Sequence, residues 1–167
     1  LTAPVTQYRL TASNSASTCT EKVTVNVKSN LKPLGSSGTP TGSNAPVDIA
    51  GPTFSTGGLT YHVAGQPYTL RAQPYNAGAN TDEAASLNFQ WKISGANDNT
   101  YLPLPNAGTI PILNAEQTVN VDVQQQSAAG DTKVYEIRYC LDTASQIDES
   151  NEGDNCSGSV VLRFGTE

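Results

Sequence analysis

Between Cys140 and Cys156 the chain concentrates side-chain oxygen donors: Asp142, Asp148, Glu149, Asn151, Glu152, Asp154 and Asn155. A hard cation such as Ca2+ takes about six to eight oxygens from carboxylates, amides and carbonyls. This stretch is therefore a candidate calcium site, although its spacing is not that of an EF-hand. Carboxylates crowded together repel, and a cation would relieve the repulsion. The same residues also suit a solvated hairpin tip whose charge discourages edge-to-edge pairing, and both readings stand at this level. Glu149 and Glu152 are weighed as paired carboxylates for acid–base hydrolysis, but no cleft-forming elements are evident around them. His62 is the single histidine and has no Gly-x-Ser-x-Gly partner motif. One histidine cannot build a multi-His zinc site. No residue is assigned a catalytic role, and the chain is read as a non-enzyme.

The elements that hold this loop are strands. Lys133 to Leu141 alternates in polarity and runs into it; Ser159 to Phe164 is apolar and leaves it. That pattern predicts a β-hairpin whose long acidic loop is closed at its base by a Cys140–Cys156 disulfide. Such a staple suits an oxidising compartment, hence a secreted or cell-surface protein. Cys19 is then the odd cysteine, unpaired or intermolecular. Asn155-Cys156-Ser157 has the form of a glycosylation sequon, with a half-cystine in its middle position.

The run Ile147-Asp148-Glu149-Ser150-Asn151-Glu152-Gly153-Asp154-Asn155 resembles the closing signature of the CARDB family, the cell-adhesion-related domain found in bacteria. Asp154 departs from the family, which more often has a second Asn there. The resemblance covers roughly residues 46 to 164. It implies a non-catalytic, immunoglobulin-like sandwich of the kind strung in tandem on large surface proteins.

Periodicity points the same way. Val47–Ile49, Tyr68–Ala72, Leu87–Ile93, Gln117–Gln125, Val134–Leu141 and Ser159–Phe164 read as strands, and a Pro-rich stretch, Leu102–Ile112, as an edge strand. Leu87, Phe89, Trp91 and Ile93 are expected to face inward, as are Val119, Val121, Val123, Tyr135, Ile137, Tyr139, Leu141, Val160, Leu162 and Phe164. Trp91, on a central strand, is expected in the core. No helical period appears; Asp142 to Gln146 holds a turn of helix at most. The fold class is all-β, an immunoglobulin-like sandwich of about seven strands over residues 46–167.

Ahead of the sandwich, residues 29–45 read as a Gly/Ser/Pro linker. Residues 1–28 read as an orphan hairpin, Tyr8–Ala12 and Lys22–Val27, which resembles the last two strands of a bacterial immunoglobulin-like or PKD-type domain. An isolated hairpin is marginal in water. Its apolar residues Tyr8, Leu10, Val23, Val25 and Val27 are therefore the expected assembly interface, with another copy of the chain or an adjacent immunoglobulin-like domain as partner. Residues 1–32 carry a net charge of +3 and the remainder −9, so the two parts attract.

The overall charge of −6 argues against nucleic acid or an anionic membrane as partner, and no apolar run is long enough to insert in a bilayer as a helix. With no Met and no leader-like segment, the sequence reads as a processed form or a piece of a longer chain. The function expected is a structural or adhesive extracellular module. The alternatives are a filament subunit that donates its hairpin to a neighbour, and a carbohydrate-binding sandwich with Tyr61, Tyr75 and Tyr101 on its face.

Overall fold

Where apolar and polar residues alternate, an extended backbone sends one set to the core and the other to water. The computed structural model describes residues 28–33 and 47–166, and the backbone alone of residues 5–13 and 18–26. Among the described residues every regular element is a strand: β1 (Val5–Ser13), β2 (Thr18–Asn26), β3 (Leu31–Pro33), β4 (Asp48–Ala50), β5 (Thr53–Thr56), β6 (Leu59–Val63), β7 (Pro67–Ala72), β8 (Pro74–Asn76), β9 (Ala85–Ile93), β10 (Leu102–Ile110), β11 (Val121–Gln126), β12 (Val134–Leu141) and β13 (Val160–Gly165).

β1 and β2 pair antiparallel, from Val5 opposite Asn26 to Ser13 opposite Thr18. A six-stranded sheet runs β10-β9-β12-β13-β6-β5, a three-stranded sheet runs β11-β7-β4, and β3 pairs with β8. The two larger sheets bury one shared core. β7 contributes Tyr68, Leu70 and Ala72, and β11 contributes Val121 and Val123. From the six-stranded sheet come Leu87, Phe89, Ile137, Tyr139, Leu141, Leu162 and Phe164. This is the all-β sandwich that the alternation predicts.

Three departures have physical causes. Ile93, expected inward, is 43% exposed. β9 has nine residues against six in β7 and β11, so its last residue has little of the facing sheet to pack on. Trp91 is half-buried and not fully enclosed. It packs edge-on against Tyr135, with ring centroids 5.2 Å apart, and lines a cavity of about 220 Å³ with Tyr68, Leu104, Tyr135 and Phe164. The β5–β6 hairpin is the third. Gly57 and Gly58 both take positive φ (58° and 76°), the two-residue turn that matches the twist of a hairpin. Phe54 stacks on Tyr61 across it, and β6 then pairs in parallel with β13, His62 opposite Phe164.

The Pro-rich segment does form an edge, as β10, with a register irregularity between Pro103 and Ala107. Gln125 holds β10 against β11: its Nε2 donates to the Asn106 carbonyl at 2.7 Å. Gly108 permits the approach, since a Cβ there would lie 2.7 Å from a Val121 methyl.

Phe89 is fully enclosed, and Phe89→Ala is expected to lose about 3–5 kcal/mol in chemical denaturation. Trp91→Ala is expected to lose less, because part of its ring already meets solvent. Equal losses would show that the two rings are equally enclosed.

Candidate functional site

β12 ends at Leu141, and the chain turns at once. Asp142 and Ser145 take positive φ (45° and 52°), which Asp tolerates better than most residues. The turn is held by the Asp142 carboxylate, whose two oxygens accept the amides of Gln146 (2.8 Å) and Ile147 (2.9 Å). Ile147, 3% exposed, plugs the loop into the core. At the base, Cys140 and Cys156 are joined as a disulfide, and the Leu141 amide donates to the Asn155 carbonyl at 2.8 Å.

The chain's own earlier segment packs against the Asp148–Asp154 side of the loop. Ser29, Asn30, Leu31 and Pro33, at the start of the stretch whose composition suggests a linker, are buried, and Leu31 is fully enclosed in the core. Residues 34–46 lie outside the described residues. The Glu149 carboxylate accepts the Leu31 amide at 2.5 Å, and the Ser150 amide donates to the Ser29 carbonyl at 2.9 Å. On the other edge, β3 pairs with β8. Asn76, wholly buried, accepts the amides of Asn30 (3.2 Å) and Gly78 (3.1 Å).

The acidic residues consequently divide. Asp148 pairs with Lys28 at 2.6 Å and Asp154 with Lys32 at 2.7 Å. Asn151 caps a turn by accepting the Gly153 amide. Asp142, Glu149 and Glu152 converge, each offering an oxygen within 4.8 Å of the others. Burial raises the Glu149 carboxyl to about 7; the Leu31 amide opposes the rise, and the charges of Glu152, Asp142 and Asp154 add to it. Two further oxygens, Oδ1 of Asp154 and Oδ1 of Asn155, are buried with no hydrogen-bond partner. Asn155 reaches Glu149 through its Nδ2, at 3.4 Å. This donor set, hard oxygens around a partly desolvated centre, has the chemistry of a cation site.

The remaining candidates sit apart from the loop. His62 lies on β6 near the rings of Tyr68 and Phe164, and burial lowers its pKa. Tyr61 is on β6, Tyr75 on β8, and Tyr101 precedes β10, where Arg138 stacks 4.0 Å from its ring centre. The side chains of Tyr8, Leu10, Cys19, Val23 and Val25, and all of Val27, lie outside the described residues. Sequence reading missed Lys28, Asn30, Leu31, Lys32 and Asn76. The available signal was a lone Leu between two lysines in an otherwise polar stretch.

A family model described as CARDB matches residues 55–159. No curated protein matches the chain. Similar solved structures include a crystal structure of the CARDB domain of a Pyrococcus furiosus protein in complex with di-metal ions. It is 15% identical, with a TM-score of 0.48 over 84% of this chain and 96% of that one. A solution NMR structure of the same Pyrococcus furiosus domain is 15% identical, with a TM-score of 0.47 over 84% of this chain and 98% of that one.

Two outcomes are expected. A pKa raised on folding, here from 4.5 to about 7, means that the folded state binds the extra proton. The associated stability is therefore full below about pH 4.5 and lost as pH rises through about 7. With chelator present, the melting temperature should fall across that window, and Glu149→Gln should flatten the fall. An unchanged slope in the variant would assign the dependence to other groups. Second, replacing both Cys140 and Cys156 by Ala should cost about 3 kcal/mol, as for a closed loop of this length, measured by denaturation under oxidising conditions.

Proposed function

Because the chain belongs to the CARDB family, we propose that it is a non-catalytic structural and adhesive module of an extracellular, bacterial-type surface protein. The observation that carries the compartment is the Cys140–Cys156 disulfide, since cytosolic reductants keep such thiols reduced. The non-catalytic reading is supported by how the candidate acid–base groups are used. Glu149 accepts a main-chain amide, and Glu152 in turn accepts the Glu149 amide at 3.1 Å. His62 has a buried Nδ1 without a hydrogen-bond partner and aromatic neighbours. Surface biotinylation of cells making the protein, followed by non-reducing peptide mapping, tests this. The reading expects labelled protein with Cys140 and Cys156 joined; cytosolic protein with both thiols free would reject it.

A second reading concerns a structural cation, and the unpartnered oxygens of Asp154 and Asn155 beside the Asp142–Glu149–Glu152 cluster favour it. Calcium would take these oxygens and the ionised carboxylates together, screening their repulsion in the folded state. An ion bound only by the folded form stabilises by about 2.7 kcal/mol at a hundred times its Kd. Millimolar Ca2+ should then raise the melting temperature, chelator should reverse the rise, and Glu152→Gln should reduce it. Identical melting in Ca2+ and chelator would leave a proton on Glu149 as the neutralising species.

A further inference from the structure

The family match begins at residue 55, yet the sandwich carries a groove shaped around residues 28–33. One wall is the Pro74–Ala79 segment and the other is the acidic loop. The strap between them is bonded on both edges. The Ala77 amide donates to the Asn30 carbonyl (2.7 Å), the Ala79 amide to the Lys28 carbonyl (3.0 Å) and the Ser150 amide to the Ser29 carbonyl (2.9 Å). The strap's own amides at Asn30 and Leu31 donate to the side chains of Asn76 and Glu149. A strand satisfied on two sides behaves as an inner strand and not as a loosely laid linker.

Ser29, Leu31 and Pro33 are buried, and so is Asn30 between them. Lys28 and Lys32 reach Asp148 and Asp154 of the loop. Gly78 is fitted to this occupant: a Cβ there would lie 2.7 Å from the Asn30 nitrogen and 2.7 Å from the Ser29 carbonyl carbon. β2 ends at Asn26, so the preceding hairpin reaches the strap across a single residue.

We propose that this groove is the docking site for the strand leaving the preceding module, and that Lys28–Pro33 is an inter-module clamp seated in its own chain. Its recognition chemistry is an extended Lys-x-x-Leu-Lys segment. The apolar residue enters the core, the backbone adds to β8, and the two lysines read two carboxylates of the loop. The clamp makes the junction with the preceding module a held joint. The proposal rests on the reading of the chain as one of a series of modules.

Amide-resolved hydrogen exchange on the full chain tests the seating. The amides of Leu31, Ala77, Ala79 and Ser150 should exchange at least about a hundredfold more slowly than free loop amides, with Leu70 and Tyr139 as core references. Lys28→Glu with Lys32→Glu should speed the four amides about tenfold or more while leaving the references unchanged. Adding Asp148→Lys and Asp154→Lys should restore them. Leu31→Asp should unseat the strap more fully, and the charge variants decide if that substitution unfolds the core.

The joint is read by spin labels at Ser13→Cys and Thr56→Cys in a Cys19→Ser background. A narrow distance distribution that broadens on charge reversal supports the clamp. Unprotected amides, protection indifferent to charge reversal, or an already broad distribution would overturn it. So would protection that rises with protein concentration, which would mean exchange of straps between copies. Surface location and disulfide state do not enter these measurements, so failure here and failure of the module reading are separate results.

Discussion

The hydrogen bond from the Leu31 amide to the Glu149 carboxylate joins residues 118 positions apart, and the end of the molecule that holds the acidic loop is organised around it. A carboxylate can be buried only if its charge is matched or removed and its lone pairs are satisfied. Here the main chain of the strap supplies the donor. The strap stays in place because Leu31 is buried in the core and because its backbone is bonded to β8 and to the Glu149–Ser150 segment. The acidic loop keeps its shape because Asp142 and Ile147 pin its start and the Cys140–Cys156 disulfide closes its base.

This arrangement also explains what the charge distribution does. The contrast between a basic N-terminal stretch and an acidic remainder acts at short range, where two lysines of the strap meet two aspartates of the loop. The Lys28–Asp148 pair is exposed and contributes little by itself. The Lys32–Asp154 pair is more enclosed and leaves the second Asp154 oxygen buried without a partner. The strap is thus held by burial of Leu31 and by backbone hydrogen bonds, with the two ion pairs at its ends.

Much of the sandwich was legible as alternation. Leu87 and Phe89, Val121 and Val123, and Ile137, Tyr139 and Leu141 all face the core as their period of two requires. The base of the hairpin was legible from the flanking strands, and the two cysteines there are joined. The β5–β6 hairpin escaped notice although Gly57-Gly58 between short strands is a turn signal, because Thr53–Thr56 has little alternation to mark it. Ile93 and Trp91 escaped because period gives the face of a strand and not how far the opposite sheet extends over it.

By itself the sequence determined which side chains turn inward along each long strand, the all-β class, the oxidised loop and its density of oxygen donors. These are local properties, carried by residues two apart or by residue type. The tertiary structure alone decided that Leu31 belongs to the core. It also decided that Asp148 and Asp154 answer to lysines, and that Asp142, Glu149 and Glu152 converge. A three-residue strand carries too little pattern to be read, and its partners lie dozens of residues away along the chain. Its place is set by the space and unpaired backbone groups that the folded sandwich offers, which exist only once the sheets have packed.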